Sequence, residues 1–256
     1  MDFALTGPVF AIILPFVFLA GLVDSIAGGG GLLSLPAYLA AGLPPHTALG
    51  NNKFSSCFGT LFAALRYWRG NLMDVPVALM GAGAALIGSY AGTRVVLLIQ
   101  PGFLNWLLVV LIPVITVFTL LKPDLGREAR HEEISATRRR LLGGLAGLVI
   151  GFYDGFFGPG TGSFLIFFYT LALRYDLVTA NANTKAVNLA SNVAALAGFL
   201  LGGKVIFAIG IPAAAAGIAG NLLGAHLVLQ NGARLIRPIF LLGLTALFVK
   251  ILVNLM

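Results

Sequence analysis

Residues 23–36, VDSIAGGGGLLSLP, interrupt an apolar sequence with glycines, and residues 153–166, YDGFFGPGTGSFLI, interrupt it again. Glycine in the middle of a helix is destabilising, and it is the residue that close turns require. The apolar run after each interruption is shorter than the roughly 20 residues needed to cross a bilayer. The pattern therefore predicts a helix that breaks inside a membrane, followed by a short half-helix, once in each half of the chain.

The composition excludes a water-soluble protein. Of 256 residues, 59% are hydrophobic and 10% are charged, and the mean hydropathy is +0.97, whereas a soluble domain has roughly 25% charged residues. The net charge of +7 comes from Lys and Arg between apolar runs, as the positive-inside rule explains, and does not indicate a nucleic-acid partner. With Cys57 as the only cysteine and no recognisable catalytic motif, we expect no enzyme, no metal and no cofactor.

Apolar runs and their Gly, Pro and polar breaks predict ten helical elements. Five precede a charged segment, and five follow it. The second element of each set is the short half-helix. The predicted elements are 5–27, 31–42, 47–69, 73–99, 102–121, 140–157, 161–173, 178–201, 205–229 and 233–255.

The two sets of elements are predicted to be homologous repeats. A shift of 130 residues maps Asp24 onto Asp154, and a shift of 132 maps Lys53 onto Lys185. Small apolar residues match by chance in such sequences, but Asp and Lys are rare here. Further matched pairs are Gly21 and Gly151, Gly28 and Gly158, Gly30 and Gly160, Asn51 and Asn183, Gly88 and Gly220, and Gly92 and Gly224.

The fold class expected is therefore an all-α polytopic membrane protein built from two repeats. Residues 1–121 form the first repeat, 122–139 a charged cytoplasmic loop, and 140–256 the second repeat. Five crossings per half make the repeats inverted, and the distribution of Lys and Arg favours this arrangement. If the short elements re-enter the membrane instead, each half has four crossings and the repeats run parallel.

The glycine-rich breaks are candidate anion sites. A helix that begins inside a membrane presents unpaired N–H groups and a positive dipole end, and glycine lets a ligand approach the backbone. The alternative is that the glycines only permit tight helix packing. The candidate binding residues are Gly28, Gly29, Gly30, Gly31, Gly158, Gly160, Thr161 and Gly162, with Ser34 and Ser163 as further hydroxyl donors.

A second pair of motifs places lysine near the start of a long helix. Residues 47–56 read TALGNNKFSS, and residues 179–188 read TANANTKAVN. Lysine inside a membrane is costly and marks a pathway or a ligand, but lysine near a helix end also snorkels to the headgroups. The candidate binding residues here are Asn51, Asn52, Lys53, Asn183, Thr184 and Lys185.

Asp24 and Asp154 precede the two breaks. An intramembrane carboxylate can relay protons, or it can cap the helix that restarts after the break. The sequence leaves both roles open.

The paired motifs resemble those of the TauE/SafE sulfite exporters, also known as the toluene sulfonate uptake permease family. The resemblance extends over nearly the whole chain. It implies a carrier of small sulfur-containing anions, such as sulfite, organosulfonates or thiosulfate, in the bacterial cytoplasmic membrane. We expect alternating access with the site at the repeat interface and protons as a possible coupling ion. The alternatives are an anion channel of the same fold and a carrier of a non-sulfur anion. Oligomeric state, direction of transport and exact substrate do not follow from the sequence.

Overall fold

The chain folds into helices. The computed structural model describes residues 7–104, 106–107, 110 and 131–231, and within these ranges it contains helices and no strand. A 3-10 turn at His131–Glu133 precedes the second set of helices. The helices are α1 Gly7–Ala27, α2 Gly31–Ala40, α3 Pro45–Arg69, α4 Val75–Leu98, α5 Ala136–Phe156, α6 Thr161–Ala172, α7 Leu177–Leu201 and α8 Phe207–Asn231.

The all-helical membrane fold is confirmed. Four described helices, α1, α4, α7 and α8, are long and apolar enough to cross a membrane. The two elements after the glycine-rich breaks are short apolar helices, α2 with 10 residues and α6 with 12, as the half-helix prediction required. Each glycine-rich break thus separates a long helix from a short one.

Several helix ends lie two or more residues from their predicted positions, and two of these shifts have an evident local cause. Helix α5 begins at Ala136 rather than at 140, because the Ser135 side chain accepts a hydrogen bond from Arg138 N at 3.4 Å and caps the helix. The charged loop predicted for 122–139 therefore ends at Ser135. Helix α3 begins at Pro45 rather than at 47, since proline suits the first position of a helix.

Some predicted segments lie outside the described residues. These are residues 122–130 of the charged loop, most of element 102–121, and element 233–255. Residues 101–104 are helical, in agreement with the predicted start of element 102–121.

The helices of the two halves pack against each other in matched pairs. The most extensive contacts join α4 to α5 and α1 to α8, which are matched pairs under the predicted repeat. The contacts of α4 with α7 and of α3 with α8 form a second matched set. Helices α3 and α7, which carry the two lysine motifs, pack against each other at the centre. Each half therefore completes its core with helices from the other half.

Glycines bring the backbones of these helix pairs together. A β-carbon on Gly88 would lie 2.1 Å from the carbonyl oxygen of Leu148, and one on Gly220 would lie 2.0 Å from that of Phe18. Both contacts are too short for any side chain, and they join matched positions of the two halves. Small residues at these crossings allow close packing where lipid provides little hydrophobic drive.

A polar contact joins the start of α4 to the second half outside the apolar spans. Asp74 caps α4 by accepting a hydrogen bond from Val77 N, and it also accepts one from the Tyr175 hydroxyl at 2.6 Å. Burial, together with the hydrogen bond to Asp74, raises the pKa of the Tyr175 phenol. The phenol therefore stays a donor at physiological pH.

Candidate functional site

The two glycine-rich breaks meet at the centre of the protein. Gly28 and Gly158 both have left-handed backbones, with φ of +73° and +95°, which glycine adopts without strain. A β-carbon on Gly28 would lie 2.5 Å from the backbone carbon of Gly162. The first break therefore lies directly against the start of α6, and the two halves contact each other backbone to backbone.

Lys53 pairs with the aspartate of the other half. Its Nζ lies 2.7 Å from Asp154 Oδ1 and donates a hydrogen bond to Asn192 Oδ1 at 3.1 Å. Both charged side chains are buried, with exposed fractions of 2% for Lys53 and 3% for Asp154. A β-carbon on Gly158 would lie 3.2 Å from the same Nζ, so glycine leaves room there for the ammonium.

Lys185 pairs in the opposite sense, with the aspartate of the first half. Its Nζ lies 2.9 Å from Asp24 Oδ2 and also donates a hydrogen bond to the main-chain carbonyl of Asp24. The exposed fraction is 0% for Lys185 and 15% for Asp24. The other Asp24 oxygen accepts a hydrogen bond from Gly30 N at 3.3 Å. Asp24 thus supports the helix break, whereas among the described residues the Asp154 carboxylate bonds to Lys53 and Ser191 rather than to the second break.

A cavity of about 40 Å³ lies between the breaks, which is room for a few water molecules or a small anion. Lys53 and Asp154 line one part of it, and Asp24 lines another. Eleven of the sixteen candidate residues predicted from the sequence line this cavity, and Ser34, predicted as a further hydroxyl donor, lines it as well. The eleven are Asp24, Gly29, Gly30, Gly31, Asn52, Lys53, Asp154, Gly158, Gly160, Thr161 and Gly162.

Five predicted site residues do not line the cavity. Asn51 and Asn183 each donate a hydrogen bond to the carbonyl four residues earlier, Thr47 O and Thr179 O, within their own helices. Gly28 is occupied by packing against Gly162. The remaining two are Thr184 and Lys185, which are fully buried on the second-half side.

The snorkelling interpretation of the lysines is wrong. Each ammonium points into the protein and binds a carboxylate there. A buried ion pair satisfies both charges without reaching the headgroups. The lysines therefore belong to the interior of the protein.

Polar residues that we did not assign to a site also line the cavity. Asn188 and Asn192 come from α7, Thr60 from α3, and Asn221 from α8. Asn221 is 3% exposed, and its side-chain oxygen has no hydrogen-bond partner among the described residues. The sequence could have indicated Asn221, because it is an isolated asparagine in an otherwise apolar helix. In a membrane such a residue marks either helix association or a pathway.

The groups around the cavity determine what it can bind. Within the described ranges, no group of three or more His, Cys, Asp or Glu side chains is placed to hold a metal ion. The cavity offers one ammonium, the carboxylates of Asp24 and Asp154, several amides and hydroxyls, and glycine backbone. The ammonium, amides and hydroxyls are groups that can bind and orient a small anion.

Comparison with known proteins identifies the family. The sequence model described as "Sulfite exporter TauE/SafE" matches residues 13–251. The chain belongs to the TauE/SafE family. This confirms the resemblance drawn from the two pairs of motifs.

Proteins of several bacteria are similar to this chain over most of their length. A "Probable membrane transporter protein" of Haemophilus influenzae is 40% identical over 89% of this chain and 88% of its own length. The "Probable membrane transporter protein YfcA" of Escherichia coli is 36% identical over 97% of this chain and 91% of its own. No solved structure matches the chain. The protein is therefore a membrane transporter of this family and not an enzyme.

Proposed function

We propose that the protein carries a small sulfur-containing anion, such as sulfite, an organosulfonate or thiosulfate, across the bacterial cytoplasmic membrane by alternating access. The observation that carries this proposal is the position of Lys53, a buried ammonium on the wall of a polar cavity between the two breaks. The anion would lie in that cavity, bound by the Lys53 ammonium.

The groups around Lys53 suit an anion of few atoms. An ammonium forms charge-assisted hydrogen bonds to anionic oxygens, which are about twice as strong as neutral ones. Asn52 and Thr161 supply polar groups on the wall, and Gly158 and Gly160 let an oxygen approach the backbone. The small volume favours a compact head group such as SO₃ over a bulky organic anion.

The sulfur assignment comes from the family. Its description names sulfite export, whereas the names of the bacterial relatives give no substrate. A compact oxyanion agrees with both the family description and the size of the cavity.

Alternating access is supported by two ion pairs that cross between the halves. Lys53 of the first half binds Asp154 of the second, and Lys185 of the second binds Asp24 of the first. Transporters with inverted repeats bind substrate at the repeat interface and move one part against the other. The crossed pairs lie at that interface, so movement of the halves would change the access to Lys53.

The test is binding and flux with purified protein in liposomes. The panel contains sulfite, thiosulfate, methanesulfonate, sulfoacetate, taurine and sulfate. We expect at least one sulfur anion to raise the melting temperature and to show saturable uptake that unlabelled substrate inhibits. Flux that rises linearly with concentration would indicate a channel, and binding of none of the panel would contradict the sulfur-anion proposal.

A further inference from the structure

We propose that Asp154 is the proton-coupling residue of this transporter: the anion replaces the Asp154 carboxylate at Lys53, and Asp154 takes up one proton as it is displaced. This inference rests on the proposed anion site. It adds the coupling ion, the residue that carries it and the charge of the substrate.

Asp154 occupies the place that an anion would take. Its Oδ1 lies 2.7 Å from Lys53 Nζ, on the cavity wall. A carboxylate and a second anion at one buried ammonium would repel each other, and a buried charge left without a partner is strongly unfavourable. Binding of the anion at Lys53 is therefore linked to neutralisation of Asp154.

The second oxygen of Asp154 has a partner that tolerates a proton. Asp154 Oδ2 accepts a hydrogen bond from the Ser191 hydroxyl. A hydroxyl both donates and accepts, so Ser191 can rotate and accept a hydrogen bond from the protonated acid. The bond then survives with its direction reversed.

Asp24 lacks such a partner. Its oxygens accept from Gly30 N–H and from the Lys185 ammonium, and these groups only donate. Under the predicted repeat, the residue that matches Ser191 is Gly59, which has no hydroxyl. Lys185 does not line the cavity, so no anion could replace Asp24 there. A proton on Asp24 would leave the buried Lys185 ammonium without a charged partner, and we therefore assign Asp24 a structural role.

Among the described residues, few other charges reach Asp154. Helix α3 presents Lys53, and α7 carries Lys185, which is bound to Asp24 of α1. Helix α4 presents the Thr93 hydroxyl, which donates to Gly155 O, while its Arg94 is exposed. The titratable side chains of the neighbouring segments are the phenols of Tyr153, which donates to Pro159 O, and of Tyr169 on α6.

The exchange keeps the site neutral. In the empty carrier, Lys53 and Asp154 cancel each other's charge. In the loaded carrier, the Lys53–Asp154 contact is broken, the proton is bonded to an Asp154 oxygen, and Lys53 cancels one negative charge on the substrate. The substrate class is therefore a monoanion such as a sulfonate or hydrogen sulfite, carried with one proton. When the anion leaves, Asp154 releases the proton and pairs with Lys53 again.

The experiment uses methanesulfonate, whose charge does not change between pH 5 and 8. Because binding takes up a proton, we expect the affinity of the wild-type protein to rise as pH falls, by up to about tenfold per pH unit. Asp154→Asn should bind methanesulfonate with no pH dependence. In liposomes it should still exchange internal for external anion, but a pH gradient should no longer drive accumulation, since the empty carrier holds an uncompensated Lys53.

Asp24→Asn is the matched control, and its binding should keep the wild-type dependence on pH. Proton uptake on binding, measured with wild-type protein in weakly buffered solution, needs no variant and should be about one proton per anion. No proton uptake, or an unchanged pH dependence in Asp154→Asn, would overturn the coupling proposal and leave the anion site standing. Preference for dianions over methanesulfonate would overturn the assignment to monoanions. If the wild-type protein binds no anion, the proposed function itself is contradicted.

Discussion

The two buried ion pairs are built from matched residues but have different surroundings. Lys53 faces the cavity, whereas Lys185 is fully enclosed and also binds the Asp24 carbonyl. Asp154 is more deeply buried than Asp24. The comparison teaches that two similar motifs need not give two equivalent sites, since only one of the two lysines lines the cavity.

The sequence around each pair explains the difference. Under the predicted shifts, the cavity residues Ser34 and Ser55 match Phe164 and Val187. Larger and less polar side chains thus stand in the second half where the first half leaves polar space. We interpret the first-half side as the binding side for this reason.

The largest effect on stability should come from a substitution that removes only one of the two charges of an ion pair. Removing one partner of a buried ion pair typically costs about 3–5 kcal/mol, because a buried charge remains. We expect Lys53→Gln to lower the free energy of unfolding by an amount in this range. Lys185→Gln should cost less, because Asp24 is 15% exposed to the cavity. Melting temperatures in detergent provide the measurement.

The double variants Lys53→Gln/Asp154→Asn and Lys185→Gln/Asp24→Asn are the controls for that effect. Each removes both charges of a pair and should recover most of the lost stability. If the double variants are no more stable than the single variants, an unpaired buried charge is not the cause of the lost stability.

Where the halves are alike, matched substitutions should have equal effects. Gly88→Ala and Gly220→Ala each place a methyl group within about 2 Å of a backbone carbonyl oxygen. Overpacking of this kind costs about 1–3 kcal/mol. We expect both variants to lose similar stability in the same melting assay. Gly83→Ala on α4, where a β-carbon meets nothing within 4 Å, should behave as wild type. A large effect at only one of the two crossings would argue against equivalent packing.

Substitutions of Asn52 and Thr184, the residues that precede the two lysines, should differ by a smaller amount in their effect on anion binding. Asn52 lines the cavity and accepts a hydrogen bond from Ser34 at 2.6 Å, whereas the matched Thr184 lies outside the cavity. Asn52→Thr should weaken anion binding by about 0.5–1.5 kcal/mol, the net value of one hydrogen bond. Thr184→Asn should leave affinity unchanged. Isothermal titration with the anion found by the panel gives both values, and equal losses would contradict the asymmetry.

Much of the fold and part of the site could be predicted from sequence. The half-helices were predictable because glycines interrupt apolar runs at both breaks, and Lys53 and Lys185 because charged residues are rare in such a chain. That Lys53 binds Asp154 rather than Asp24 was not predictable, since two matched aspartates offer equal partners until the packing of the halves is known. Asn221 was missed because one asparagine in an apolar helix also fits a purely structural role.

The most direct test of the single-site account is anion binding by the two charge-neutral double variants. Lys53→Gln/Asp154→Asn should lose about 1.5–3 kcal/mol of binding free energy, the value of a hydrogen bond to a charged group. Lys185→Gln/Asp24→Asn should not weaken anion binding, because its lysine does not line the cavity and Asp24, which does, carries a negative charge. Isothermal titration of both proteins, after their melting temperatures show that they are folded, provides the measurement. Wild-type affinity in the Lys53 double variant, or an equal loss in the two, would contradict the account.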